Sequence, residues 1–125
     1  MDYFTNKELE CHCCHTLKIS SVLRQRLNKL RELWGQPIYI SDAYRCLTHN
    51  IEVGGSPNSQ HLIGNAADIY VGDVNKRDTK EYHKFYGFVL GTRLFDGVGY
   101  YEKQEFVHVD VRDGGLHPNK YQWEG

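Results

Sequence analysis

The stretch FVHVDV at residues 106–111 has valine at every second position, with His108 and Asp110 between the valines, as a half-buried β-strand does. Its three valines share one face and belong in the core, so His108 and Asp110 lie on the opposite face. The stretch AADIYV at residues 66–71 alternates in the same way and leaves Asp68 on its polar face. If the two strands are sheet neighbours in register, Asp68 and His108 converge on the side away from the core.

Two longer segments predict amphipathic helices. The first begins at Ser20 or Ser21 and runs to about Trp34, with leucines repeated at helical spacing. The second begins near Asp78 and stops at Gly91, a residue type that often ends a helix. We therefore expect two helices of ordinary length to cover the core face of the strands.

The order of the elements predicts the fold class. Short strands are also expected at residues 38–41 and 97–101, the latter joined by a turn to residues 106–111, whereas no clear period follows residue 113. Because helices come first and strands then cluster, we predict an α+β fold with a small, mainly antiparallel sheet and helices packed on one face. The chain has 125 residues and no visible linker, so residues 1–125 should form a single domain.

Composition narrows the classes of partner. The net charge is −1 and a quarter of the residues are charged, which argues against nucleic acid and anionic membrane surfaces as partners. No apolar run approaches the roughly 20 residues that a membrane-spanning helix needs. The first residues show no secretory signal, so we expect synthesis in a cytoplasm. We also expect a monomer.

Three of the four cysteines fall within four consecutive residues: the set is Cys11, Cys13, Cys14 and Cys46. This crowding is a poor disulfide framework, which favours reduced thiols. Cys11 and Cys14 have the spacing of a zinc knuckle, and His15 or Cys46 could add a ligand. Since no second pair of ligands stands at knuckle spacing, we favour free thiols over a structural metal.

His61, Asp68 and His108 form the predicted metal site. His61 precedes Gly64, which permits a sharp bend toward the two strands. Imidazole and carboxylate are suitable zinc ligands, and a catalytic zinc has three protein ligands with a fourth position open. The alternation alone leaves open that these histidines only make hydrogen bonds.

The surrounding sequence carries a more specific pattern. Its blocks are SDAYR at residues 41–45, HN at 49–50, VGGSPNSQH at 53–61, GNAAD at 64–68, GVGYY at 97–101 and FVHVD at 106–110. This pattern resembles the zinc D-Ala-D-Ala carboxypeptidases, which share a fold with lysostaphin-type endopeptidases and the N-terminal domain of Hedgehog. The resemblance extends from Phe4 to about Arg112 and implies that fold. It also implies one zinc ion held by His61, Asp68 and His108.

The resemblance leaves two candidates for the general base. Glu102 lies six residues before His108, as in the Hedgehog-type arrangement, and Glu105 lies three before it, as in other relatives. In unbroken β structure Glu102 would share the face of His108 and Glu105 would point away. Glu102 is therefore the predicted base and Glu105 the alternative, and the base must lie within hydrogen-bond reach of the reacting water.

Three further residues receive roles from the same resemblance. Arg45 is expected to bind substrate and to stabilise the oxyanion, with a structural salt bridge as the alternative. Ser59 is expected to bind substrate, with a turn-forming hydroxyl as the alternative. Asp110 is interpreted as a partner of a ligand histidine or of Arg45. Phe106 stands where several relatives have another histidine. At this position the chain therefore lacks the imidazole that could help to stabilise the transition state.

Together these inferences predict a zinc metallopeptidase that hydrolyses peptidoglycan stem peptides with a water activated by zinc. The expected kind is a D-Ala-D-Ala carboxypeptidase-like enzyme or an endolysin, and the missing export signal suits a phage or prophage lysin that acts on the cell wall after release. Two alternatives stay open: a zinc-bearing binding module without catalysis, and an endopeptidase that cuts cross-bridges. A closed pocket for a terminal carboxylate favours the carboxypeptidase, and an open groove favours internal cutting.

Overall fold

The computed structural model describes residues 2–72 and 79–125, and within these ranges the chain forms a five-stranded sheet and four α-helices. The helices are α1 (Asn6–Leu9), α2 (Ser21–Trp34), α3 (Leu47–Glu52) and α4 (Thr79–Thr92), with a 3-10 helix at Gln60–Ile63. The strands are β1 (Ile38–Asp42), β2 (Ala66–Val71), β3 (Gly97–Tyr101), β4 (Phe106–Asp110) and β5 (Tyr121–Glu124). No helix in the described ranges has both the length and the apolar character needed to cross a bilayer.

The strands lie in the order β1-β2-β4-β3-β5, and neighbours are antiparallel except for β3 and β5, which run parallel. The predicted α+β class with a small, mainly antiparallel sheet is thus confirmed. Strand β5 lies after residue 113, in the part of the sequence that shows no clear period. This strand has only four residues at the sheet edge, and its side chains alternate between half-buried and exposed, which is too short a run to show a period.

One face of the sheet packs against α2 and α4. Leu23, Leu27 and Leu30 of α2 are fully buried, and they join one apolar cluster with side chains from α4 and the strands. The contributing residues include Tyr82, Phe85, Val89, Ala67, Ile69, Val98, Val107 and Val109. Each large apolar side chain buried in this way contributes about 1.5–3 kcal/mol relative to exposure. The three valines of FVHVDV therefore face the core, and the polar residues between them face away from it.

The helix ends follow local chemistry. Ser20 accepts a hydrogen bond from the backbone N–H of Leu23, and Gly35 ends α2 with a φ of 75°, in agreement with a helix predicted to start at Ser20 or Ser21 and to run to about Trp34. Helix α4 ends at Thr92 rather than at Gly91, and the left-handed residue that follows it is Arg93 with a φ of 56°. The predicted start near residue 78 lies outside the described residues.

Candidate metal centre

The backbone pairing of β2 and β4 brings two predicted ligands together. Asp68 and His108 are direct partners in the antiparallel register, on the face of the sheet opposite the helices. His61 lies in the 3-10 helix that immediately precedes β2, and Gly64 ends that helix with a φ of 76°. A β-carbon at Gly64 would also collide with the backbone carbonyl of Lys18, so this tight approach requires glycine.

The three side chains form a compact, buried group. Their exposed fractions are 2% for His61, 7% for Asp68 and 8% for His108, and one ligand atom from each lies within 4.8 Å of the other two. Nε2 of His61 lies 3.2 Å and Nδ1 of His108 lies 3.1 Å from the same carboxylate oxygen, Oδ1 of Asp68. Both imidazoles therefore point one ring nitrogen toward the same carboxylate oxygen.

Hydrogen bonds on the far side of each ring select its tautomer. Nδ1 of His61 lies 2.6 Å from the carbonyl oxygen of Ala43, and Nε2 of His108 lies 2.9 Å from Oδ2 of Asp110. These oxygens are acceptors, so each far nitrogen carries a proton. In the neutral ring the near nitrogen then presents a lone pair to Asp68. Two lone pairs and a carboxylate converging on one point repel each other unless a cation lies between them, so the donor set fits zinc.

The ionisation of the two acids follows from these contacts. Burial alone would raise the pKa of Asp68, but when no metal is bound and the rings are protonated, the charges of His61 and His108 and the hydrogen bonds from them hold that pKa far below its usual range. Burial would likewise raise the pKa of Asp110, but the hydrogen bonds from His108 and Arg112 lower it to about 2. Both carboxyl groups are therefore anionic at neutral pH and available to balance a cation.

Arg45 lies beside the metal centre and is almost fully buried. Its Nε lies 2.6 Å from Oδ2 of Asp42, its Nη1 donates to Oδ1 of Asn50 at 3.1 Å, and its Nη2 lies 3.5 Å from Oδ2 of Asp68. A β-carbon at Gly55 would collide with both Arg45 and Asn50, so the glycine leaves room for this pair. The structural salt bridge expected as an alternative is present, and its guanidinium also faces the second oxygen of the ligand carboxylate.

A cleft of about 690 Å³ opens over these groups, and Arg45, Ser59, His61, Asp68 and His108 all line it. The cleft lining also includes Asp42, Gly55, Tyr101, Phe106, Arg112 and Trp123. Ser59 caps the 3-10 helix, since its hydroxyl oxygen accepts from the N–H of His61 at 3.2 Å. The hydroxyl thus makes the predicted turn contact while it also borders the cleft.

The prediction of Glu102 from strand alternation required β structure that continues from residue 102 to His108. Residues 102–105 form a turn, so no unbroken β structure links Glu102 to His108. Oε1 of Glu102 lies 4.0 Å from Nε2 of His83 on α4, and the side chain is 54% exposed. Glu105 is half-buried with a φ of 57°. Among the described residues that line the cleft, neither glutamate is present.

Sequence reasoning missed one wall of the cleft. Trp123 of β5 lies with its ring centroid 5.0 Å from that of His108, and its indole N–H donates to the hydroxyl of Tyr101 at 2.8 Å. A β-carbon at Gly99 would collide with this indole, and one at Gly97 would collide with the carboxylate of Asp110. The signal in the sequence is the pair of glycines two residues apart, which leaves space on the ligand face of β3.

Comparison with known proteins agrees with this geometry. The Peptidase M15 family model matches residues 2–110. The zinc D-Ala-D-Ala carboxypeptidase of Streptomyces albus G is 32% identical over 90 residues, which cover 71% of this chain but 34% of that relative's length. The predicted relationship to zinc D-Ala-D-Ala carboxypeptidases is thereby confirmed. With the match extending over most of its length, the chain belongs to the Peptidase M15 family.

Proposed function

We propose that this chain is a zinc-dependent peptidase that hydrolyses peptide bonds in peptidoglycan, in the manner of a D-Ala-D-Ala carboxypeptidase or an endolysin. The observation that carries the proposal is the convergence of His61, Asp68 and His108, with ligand atoms within 4.8 Å of one another, at a cleft. Family membership supports hydrolysis, and the name of the Streptomyces relative supports a peptidoglycan peptide as substrate.

The residues around the metal centre divide the chemical tasks. Zinc bound to these ligands would polarise the scissile carbonyl and lower the pKa of a water molecule. Asp110, itself bonded to Arg112 at 2.7 Å, keeps the proton of His108 on Nε2 and so keeps Nδ1 free as a ligand. Arg45 places a cation beside Asp68, where it can donate hydrogen bonds to a developing oxyanion or to a substrate carboxylate.

Glu102 and Glu105 are the two candidates proposed for the general base. Residues 102–105 lie directly beyond the pair Tyr101 and Phe106, whose rings stack with centroids 4.5 Å apart and which line the cleft. The turn therefore sits at the cleft rim, about two strand positions from His108. Glu102 lies 4.0 Å from His83 of α4 with its side chain 54% exposed, and Glu105 is half-buried, so both glutamates are kept as candidates for the base.

The cleft walls support an extended substrate. Aromatic side chains of Tyr101, Phe106 and Trp123 line it, and Ser59 borders it near the metal ligands. Aromatic faces suit the apolar stem-peptide side chains and sugar rings of peptidoglycan. Ser59 is proposed as a substrate-binding hydroxyl, and binding of a terminal carboxylate is assigned to Arg45.

A zinc-bearing binding module is the second candidate, because neither Glu102 nor Glu105 is among the described residues that line the cleft. A module of this kind would hold peptidoglycan peptides through the metal and Arg45 without turnover. An endopeptidase acting on cross-bridges is the alternative within the enzyme class, and the products of the reaction separate the two.

The test is incubation of the zinc-loaded protein with purified peptidoglycan, with products read by mass spectrometry. Release of single D-alanine identifies a carboxypeptidase, and loss of cross-linked peptides identifies an endopeptidase. Glu105→Gln and Glu102→Gln serve as each other's controls, and we expect the base variant to lose at least about 100-fold in kcat. Binding without any product from the zinc-loaded protein would establish the binding module instead.

A further inference from the structure

The structure brings together three of the four cysteines outside the metal centre described above. Cys11 and Cys14 lie after α1, and Cys46 follows Arg45 directly as the N-cap of α3. The Sγ atoms of all three lie within 4.8 Å of one another. Cys13 is exposed and does not belong to this group. No disulfide joins any of them in the described structure.

The backbone around Cys11 is shaped to hold a sulfur anion. Sγ of Cys11 accepts a hydrogen bond from the N–H of Cys46 at 3.4 Å, and the N–H groups of Cys13 and Cys14 also point to it. Successive N–H groups converging on one atom form an anion-binding nest of the kind found at metal–sulfur sites. His15 follows Cys14 with a φ of 60°, an uncommon conformation for this residue type that closes the turn.

Three sulfur atoms within 4.8 Å of one another, one of which accepts a hydrogen bond from a backbone N–H group, form the arrangement that a metal–thiolate site needs.

We propose that Cys11, Cys14 and Cys46 bind a second zinc ion that is separate from the His61–Asp68–His108 centre. Zinc–sulfur bonds of about 2.3 Å in tetrahedral geometry place sulfurs about 3.8 Å apart, which the cluster satisfies with small movements. His15 is not the third ligand, since its Nδ1 contacts Glu10 at 3.2 Å instead. Solvent supplies the fourth ligand, because Cys14 is exposed.

The position of this site indicates its role. Cys46 is the residue after Arg45, so a metal on Cys46 ties the backbone that carries Arg45 to the N-terminal segment at Cys11 and Cys14. The N–H of Tyr44 already bonds to the carbonyl of Leu9 at 3.4 Å, which brings the same two segments together. The second metal is thus structural and stiffens one wall of the cleft. This inference does not rest on the proposed peptidase function.

Cobalt substitution tests the proposal, because thiolate-to-cobalt charge-transfer bands in the near ultraviolet arise from sulfur ligands and not from histidine or aspartate. The reduced full chain is loaded with Co²⁺ alone, and its bands and metal content are measured. We expect about two metal ions per chain and clear thiolate bands. Cys14→Ser and Cys46→Ser should each abolish the bands and remove one metal ion, while Cys13→Ser should keep both.

The centre at His61 provides the check on folding. Each cysteine variant should retain the metal ion held there and an unchanged circular dichroism spectrum, whereas His61→Ala should lose that ion and keep the thiolate bands. Absence of the bands from the wild-type protein, with all four thiols titratable, would overturn the proposal. Bands that persist in Cys46→Ser would overturn it as well.

Discussion

His108 is held in its tautomer by groups that do not touch the proposed metal. Its Nε2 lies 2.9 Å from Asp110, which is fully buried and also accepts from Arg112 at 2.7 and 3.0 Å. Asp110, two residues after His108 in β4, therefore determines which ring nitrogen of His108 can bind the metal. Strand alternation places His108 and Asp110 on the same face of β4, so their contact could be expected from the sequence.

Asp110→Asn should weaken zinc binding by about 10- to 100-fold. The amide can turn its NH₂ group toward Nε2 of His108, which moves the ring proton to Nδ1 and blocks the ligand atom. The measurement is competition for zinc with a chelator of known affinity. Asp113→Asn, the same change at an acid that contacts His117 outside the site, should leave zinc affinity unchanged. Equal zinc affinity for Asp110→Asn and the wild type would contradict the role of Asp110 in fixing the tautomer of His108.

Gly55→Ala should reduce stability by about 1–3 kcal/mol, because the new methyl group meets the buried pair Arg45 and Asn50. Chemical denaturation measures the change. Adding Asn50→Ala removes the side chain that the methyl group meets most closely, so the double variant should lose less than the sum of the two single changes. Strict additivity would mean that Gly55 does not exist to accommodate this pair.

At the scale of the elements, long periodic segments were predictable and short edges were not. Helix α2 and strands β2 and β4 follow the sequence pattern because each buries one continuous apolar face. Strand β5 has too few residues to display a period, and the turn at residues 102–105 broke the alternation on which the prediction of Glu102 depended. Counting along a strand is valid only while the strand continues.

Glycines in different elements should respond to the same substitution with opposite signs. Gly87 lies within α4 and has open space where an added methyl group would point, so Gly87→Ala should raise stability by about 0.5–1 kcal/mol through its lower unfolded-state entropy. Gly99→Ala should lower stability, because its methyl group collides with the indole of Trp123. Paired denaturation curves measure both effects. Destabilisation by Gly87→Ala, or no effect of Gly99→Ala, would contradict the packing described.

At the scale of the whole molecule, the sheet lies between the hydrophobic core and the proposed metal centre. Helices α2 and α4 cover one face, while the other face presents the metal ligands and the cleft. The sequence predicted this division and the three candidate ligands, because strand alternation and the family pattern can each be recognised within short blocks of sequence. It offered Cys46 only as one of two possible partners for Cys11 and Cys14, and it did not predict the wall formed by Trp123, because β5 is too short to show a period.

Removal of metal should lower the melting temperature, since an ion that binds only the folded chain stabilises it by mass action. Zinc affinity should also fall progressively toward acid pH, because a histidine ligand binds zinc only when its imidazole is neutral. Melting curves with and without zinc, at several pH values, measure both effects. The zinc-dependent increment should shrink toward acid pH, and an increment that stays constant would exclude histidine ligands.

The most direct measurement is a crystal structure of the zinc-loaded protein with anomalous scattering recorded at the zinc edge. The geometry predicts a peak about 2.0–2.2 Å from Nε2 of His61, Nδ1 of His108 and a carboxylate oxygen of Asp68. A zinc-loaded chain with no peak among these three side chains would contradict the account of the site.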